Sequence, residues 1–225
     1  MSLKKESSEF EREYFKYLRY SSRRRLIEQH FLDVLKWASK VSNSNLLIGK
    51  EKTALDVGCA YGYAVNVLKF LGYQAYGVDV SKYGLKQAKK NQTADFVVCD
   101  VQENLPFRES FFDLITCIGV LEHLPCSLRA LKNMFNACKD MIICTTPNMV
   151  VEKPVKRVLR NVDETHINVR APWDWERLIR ENLRCSFVKV EPFFDAGLRV
   201  ADKLLFFRSF KIPYFGLDAR ILIKK

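Results

Sequence analysis

Residues 53–62, TALDVGCAYG, constrain the fold more than any other stretch of this chain. Ala54-Leu55-Asp56-Val57 reads as a buried strand, and Gly58 and Gly62 mark a turn after it. Ala64, Val65, Leu68 and Leu71 then recur at helical spacing. A strand, a small-residue turn and a helix, in that order, open a nucleotide-binding α/β unit. Glycine admits close backbone approach to a ligand because it lacks a Cβ. The helix start adds unpaired N–H groups.

The details of the turn exclude two ligand classes. A dinucleotide fingerprint needs glycine at positions 58, 60 and 63, and this chain has Gly58, Ala60 and Tyr63. A phosphate loop needs Gly-Lys-Ser/Thr, which is absent. Asp56 at the strand end would repel a pyrophosphate and suits a ligand that carries an ammonium group. Two further strands end the same way: Gln74 to Val80 carries Asp79, and Asp95 to Asp100 ends in Asp100. Asp79 lies about 20 residues past the first glycine, where α/β nucleotide sites place a carboxylate on ribose hydroxyls. Parallel strands expose their C-terminal ends along one edge, so three such acids converge on one crevice. One acid reads equally as a helix cap; three at successive strand ends do not.

LDVGCAYG resembles motif I of the class I S-adenosylmethionine-dependent methyltransferases. Ala60 departs from it, because the family more often has glycine there; the extra methyl narrows the pocket without closing it. The resemblance implies S-adenosylmethionine as cofactor and S-adenosylhomocysteine as product. It places Asp56, Gly58, Ala60 and Gly62 in the cofactor turn, and Asp79 with Val80 at the ribose. Asp100 then faces the adenine amino group, with the Val101 N–H on a ring nitrogen. FDLITCIGVLEHLP resembles the following segment of small-molecule members, which puts Ile118 and Gly119 near the methionine end. The TTPN ending of residues 145–148 resembles that of the type 11/12, ubiquinone-biosynthesis-like group. Members of that group carry a Gly-Gly turn before this strand, where Cys138-Lys139-Asp140 stands here.

The same resemblance sets His123 at the rim of the active site. His166, in a His-Ile-Asn stretch before Pro172, falls near the acceptor pocket. These are the two candidate catalytic residues. Each reads as a general base or orienting group for an acceptor hydroxyl, or as a structural histidine. No metal site is expected.

The expected architecture is α/β: a doubly wound, Rossmann-like, seven-stranded, mostly parallel sheet with an antiparallel last strand, helices on both faces and an N-terminal helical extension. The whole chain, 1–225, reads as one domain. N-terminal helices fill 1–45, the cofactor core 53–147, and the substrate side and last strands 148–225. Helical periodicity from Ser8 to Lys40 breaks at Ser21-Ser22, beside Arg23-Arg24-Arg25. Residues 150–160 form a basic insert with Lys153, Lys156, Arg157 and Arg160. The resemblance predicts that Cys185–Phe194 and Ala219–Ile223 pair as an antiparallel edge hairpin. The aromatic, basic stretch between them, Leu198 to Gly216, roofs the acceptor pocket, meets a membrane face or packs into the core.

Composition bounds the rest. No apolar run reaches the ~18 residues of a membrane span, and the N-terminus lacks the apolar region of a signal peptide. Seven cysteines without a C-x-x-C pattern fit a reducing cytoplasm rather than disulfides or zinc. The net charge of +11 fits RNA, an anionic surface or an acidic substrate, and equally a feature of solubility alone. No Asn/Asp-Pro-Pro-aromatic motif ends the fourth strand, which argues against methylation of planar amide nitrogens. The expected function is methyl transfer to a small or medium metabolite, at oxygen. Two alternatives stand: an RNA methyltransferase, and a non-catalytic cofactor-binding accessory protein. The oligomeric state is open.

Overall fold

The apolar runs that end in acids form the parallel half of a single sheet. In the computed structural model, residues 12–91, 93–152, 154, 165–200 and 203–225 are described. The first four strands are β1 (Thr53–Val57), β2 (Gln74–Asp79), β3 (Asp95–Val98) and β4 (Phe112–Ile118). Then come β5 (Cys138–Pro147), β6 (Phe187–Val200), β7 (Lys203–Lys211) and β8 (Asp218–Lys224). Their order across the sheet is β3-β2-β1-β4-β5-β8-β6-β7. The first five are parallel, β8 is antiparallel to both β5 and β6, and β7 is antiparallel to β6. The chain reverses its direction of travel between β1 and β4, so a crevice opens at their C-terminal ends.

Helices cover both faces: α1 (Arg24–Ser42), α2 (Tyr63–Phe70), α3 (Lys82–Asn91), α4 (Ser127–Ala137) and α5 (Pro172–Asn182). On one face Phe31, Val34 and Leu35 of α1 pack with Leu68 of α2 against Ala54 and Leu114. On the other, Leu131 and Met134 of α4 pack with Trp175 and Ile179 of α5 against Ile115, Ile142 and Ile221. Ser81 caps α3 by accepting the Gly84 N–H at 2.9 Å. The expected helix break at Ser21-Ser22 is a 3-10 turn, Tyr20–Arg23, which leads into α1.

The expected strand count of seven is corrected to eight. The additional strand, β7, lies inside the aromatic stretch, and β6 extends to Val200 rather than Phe194. The stretch therefore forms the sheet edge and is not part of the cavity roof. Its alternation was hidden because Phe206 and Phe207 are adjacent but on opposite faces, and Arg208 shares a face with Phe206 and Phe210, so the pattern of apolar and polar residues does not alternate. Cys99 and Cys185 lie just outside β3 and β6 and are half-buried, whereas Cys117 and Cys144 are buried strand residues. The missing Gly-Gly turn has a simple reason. α4 passes straight into β5 with Cys138 at φ −80° and ψ 141°, which any residue adopts. Of the basic insert, Lys153, Lys156, Arg157 and Arg160 fall outside the described residues.

At the end of β5, buried Asn148 fastens the tail. Its Nδ2 donates to Tyr214 O at 3.0 Å and Gly216 O at 2.9 Å, and its Oδ1 accepts Val150 N–H at 3.1 Å. Replacement by alanine leaves these groups unpaired in a dry site. Asn148→Ala is expected to lower unfolding free energy by about 2–3 kcal/mol in urea titration; a change within error would show that the loop is held elsewhere.

Candidate functional site

The glycine turn is shaped by close approach. Gly58 has φ +74°, and a Cβ there would sit 2.2 Å from Val120 Cγ2. Its N–H and that of Cys59 donate to Val78 O at 2.8 and 3.0 Å, which binds the turn to β2. Gly62, at φ +74°, is the N-cap of α2. Ala60 takes φ +47°, a region that costs a non-glycine residue about 1–2 kcal/mol. One carboxylate compensates: Asp79 accepts the Ala60 N–H at 2.7 Å on one oxygen and the Ser81 N–H at 2.7 Å on the other. Asp100 accepts the Gln102 N–H at 2.8 Å, a local turn that fixes its side chain.

These groups open on one cavity of about 550 Å³. Gly58, Ala60, Asp79, Val80, Asp100, Val101, Ile118, Gly119 and His123 all line it. Three expected site residues do not. Gly62 stands behind the turn, and His166 lies behind His123. Asp56 sits beneath the turn, where it accepts Thr116 Oγ1 at 2.7 Å and borders a separate void of about 50 Å³. Burial pushes Asp56 up to about 7 against the pull of the Thr116 hydrogen bond, and the Asp79 charge adds to the rise. A direct contact between Asp56 and a ligand ammonium is therefore not presented by this arrangement. The pattern of strand-end acids fixed which strand carries Asp56, not how deep its side chain lies.

The cavity's roof was missed. Tyr14, Phe15, Leu18 and Tyr20 line it from the N-terminal segment. Phe15, Tyr20, Tyr61 and Tyr63 form a cluster over the turn, with Tyr20 stacked on Tyr63 at 5.5 Å and 12°. Burial, then the charges of Asp56 and Asp79, push the Tyr20 phenol well above its usual range. Aromatics at 61 and 63 inside a small-residue turn were the available signal.

At the other end His123 Nδ1 is 3.2 Å from Thr165 O and 2.9 Å from Thr165 Oγ1. In the tautomer with the proton on Nδ1, the carbonyl accepts it and Nε2 is left as the basic nitrogen. The His123 and His166 rings meet edge to face at 4.9 Å, and His166 Nδ1 is 2.8 Å from Glu152 Oε1. The His-Ile-Asn stretch grips the turn that carries His123: Ile167 and Asn168 N–H groups donate to Glu122 O at 3.0 and 2.9 Å. Asn168 Nδ2 also donates to Leu124 O at 3.0 Å and Ser127 Oγ at 2.9 Å. Burial lifts the Glu122 carboxyl to about 8. Among the described residues, Glu122, His123 and His166 bring ligand atoms within 4.8 Å of one another, a set that could hold a divalent cation.

Residues 55–142 match the methyltransferase domain family model. A ubiquinone biosynthesis O-methyltransferase of Paraburkholderia phytofirmans is 28% identical over 162 residues, 67% of this chain and 66% of the relative, just under two thirds of its length. A Thermotoga maritima S-adenosylmethionine-dependent methyltransferase structure, described as a possible histamine N-methyltransferase, superposes with a TM-score of 0.71 at 17% identity, covering 96% and 97% of the two chains. The magnesium protoporphyrin IX methyltransferase of Synechocystis, with bound S-adenosylhomocysteine, gives a TM-score of 0.62 at 15% identity over 96% and 98%. At these identities both structures speak to fold alone.

The buried acids make stability fall as pH rises. Asp56 at about 7, Glu122 at about 8 and Asp218 at about 6 all hold protons more tightly folded than unfolded. Between about pH 4 and 8 the native state therefore binds more protons, and unfolding free energy drops across that window. Thermal midpoints of the ligand-free protein are expected to fall from pH 5 to 8, with a shallower slope in Asp56→Asn. An identical slope in the variant would remove Asp56 from this set.

Proposed function

We propose that this chain, a class I S-adenosylmethionine-dependent methyltransferase of the type 11 group, methylates oxygen on a small or medium metabolite. The observation that carries the reading is one cavity lined by Asp79 and Asp100 together with His123. No lysine or arginine lines it among the described residues, which suits a cationic sulfonium ligand and disfavours an RNA backbone. The cavity's acids and apolar walls fit the cofactor. Asp79 would hold the ribose hydroxyls, Asp100 and the Val101 N–H the adenine, and Gly58 and Ala60 the methionine end beside Ile118 and Gly119.

When bound, S-adenosylmethionine supplies a methyl group already activated by positive charge. The chain's task is alignment: walls that hold an acceptor oxygen in line supply several kcal/mol by proximity. His123 Nε2 takes the hydroxyl proton, with Thr165 fixing the ring. His166 and Glu152 support the ring from behind. The O-methyltransferase relatives favour oxygen as the target. We read the chain as one catalytic domain: residues 53–147 form the cofactor core, the N-terminal segment roofs it and 148–225 hold the substrate-side segment and the last strands. All seven cysteines are unpaired, in keeping with the cytoplasm. No helix among the described residues is long and apolar enough to cross a membrane.

Calorimetry with S-adenosylmethionine and S-adenosylhomocysteine comes first, and the absence of binding would overturn the reading. Asp79→Ala is expected to weaken both ligands by about 1.5–3 kcal/mol, the value of a hydrogen bond to a charged group; unchanged affinity would sink the ribose assignment. His123→Ala should keep cofactor affinity and lower turnover about 100-fold or more. An unaffected rate makes the histidine structural, whereas cofactor binding without methyl transfer to any acceptor would favour the accessory reading. Turnover that survives chelation separates a histidine base from a cation on Glu122, His123 and His166.

A further inference from the structure

The sheet edge far from the cavity carries an apolar face that the fold holds outward. In β6 and β7, Phe194 stands opposite Phe210 and Leu198 opposite Phe206. Directly opposed residues share a face, so Phe194, Phe206 and Phe210 lie together, with Arg208 between the last two. The other face of this ribbon is engaged: Ser209 bonds Arg220 and Phe207 meets His30. Phe206 and Phe210 remain 47% and 46% exposed.

The loop after β7 adds further exposed apolar side chains. Tyr214, Phe215 and Leu217 are 65%, 67% and 42% exposed. They do not hang loosely. Asn148 holds the carbonyls of Tyr214 and Gly216. A Cβ on Gly216 would lie 2.3 Å from Phe193 N, and Tyr214 is kept at φ +66°. A bulky residue in that region is strained, so the packing that presents these rings costs local free energy. Three phenylalanines on one face of the ribbon, with three more exposed apolar side chains in the adjoining loop, exceed ordinary surface scatter.

We propose that this face docks on an anionic lipid surface. The aromatic rings suit the depth of headgroups and upper acyl chains. Charge selects the sign of the partner. On this face Arg208 stands between Phe206 and Phe210, within a chain of net charge +11, while Lys211 lies on the other face, paired with Glu191. Two acids of β6 are spent on the opposite side, where Glu191 takes Trp37 and Lys211, and Asp195 takes His30 and Arg220. Charge also weighs against a second copy of this chain. A two-fold contact on the face would bring Arg208 toward its own counterpart, and edge pairing of β7 with itself would set cation against cation. An anionic lipid surface attracts the same residues.

Vesicle flotation tests this with the purified full chain. Wild type is expected to float with phosphatidylcholine vesicles that contain phosphatidylglycerol, and much less with phosphatidylcholine alone or at high salt. The triple variant Phe206→Ser, Phe210→Ser, Phe215→Ser should lose binding several-fold. Arg208→Glu alone should also weaken it, which keeps the test open if the triple variant misfolds. Cofactor affinity in both variants should match wild type, because neither touches the cavity. No flotation of wild type, flotation undiminished in both variants, or a solution dimer that the substitutions dissociate would each overturn the proposal.

Discussion

A single carboxylate joins the parts of the site. Asp79 stands at the end of β2 and takes one backbone N–H from the turn after β1 and another from the start of α3. Without it, Ala60 would have to hold a left-handed conformation without that acceptor, and the glycine turn would lose one of its ties to β2, keeping those to Val78 O. The same carboxylate faces the cavity. Its geometry is thus set before any ligand arrives, which lowers the ordering cost of binding. This dual duty also means that loss of Asp79 acts on loop shape and on ligand contact together.

The other acids divide by depth. Asp100 reaches the cavity from a local turn, whereas Asp56 is desolvated beneath the glycine loop and held by Thr116 of the adjacent strand. A buried carboxylate pushed to about 7 is half-charged near neutrality. Any positive ligand placed above the turn favours its ionised form through the low-dielectric interior. Asp56 can therefore act on a cation by field alone, without contact, and it does the same in reverse to the Tyr20 phenol that closes the void.

The legible parts of this chain are those whose signals are local. Strand, turn and acid lie within a few residues of one another, so β1 to β5 and the crevice could be read directly, as could Ser81 as a cap. β7 could not, because an edge strand is defined by a partner in β6 across a register that skips at Leu198. The roof of Tyr14, Phe15, Leu18 and Tyr20 was hidden for the same reason. Their spacing declares a helix face, but the surface they cover belongs to a turn more than forty residues on. His123 and His166 were readable as individuals from motif resemblance. Their edge-to-face contact, and the grip of Asn168 on the turn between them, arise only in three dimensions.

The position of that roof rests on α1, and α1 rests on a polar network rather than on apolar packing alone. Arg220 on β8 is 1% exposed and bonds Asp195, Ser209 and the Asp33 carbonyl, while His30 meets the second Asp195 oxygen. Trp37 adds a hydrogen bond to Glu191. Burying such charges rarely adds stability relative to apolar residues of equal volume, but each bond has a direction that a hydrophobic contact lacks. The network fixes the rotation of α1 on β6 and β8. The segment that enters α1 through Tyr20–Arg23 is then aimed back across the glycine turn. Register at one end of the sheet in this way sets the roof at the other, and the cavity is closed by residues that never enter the sheet.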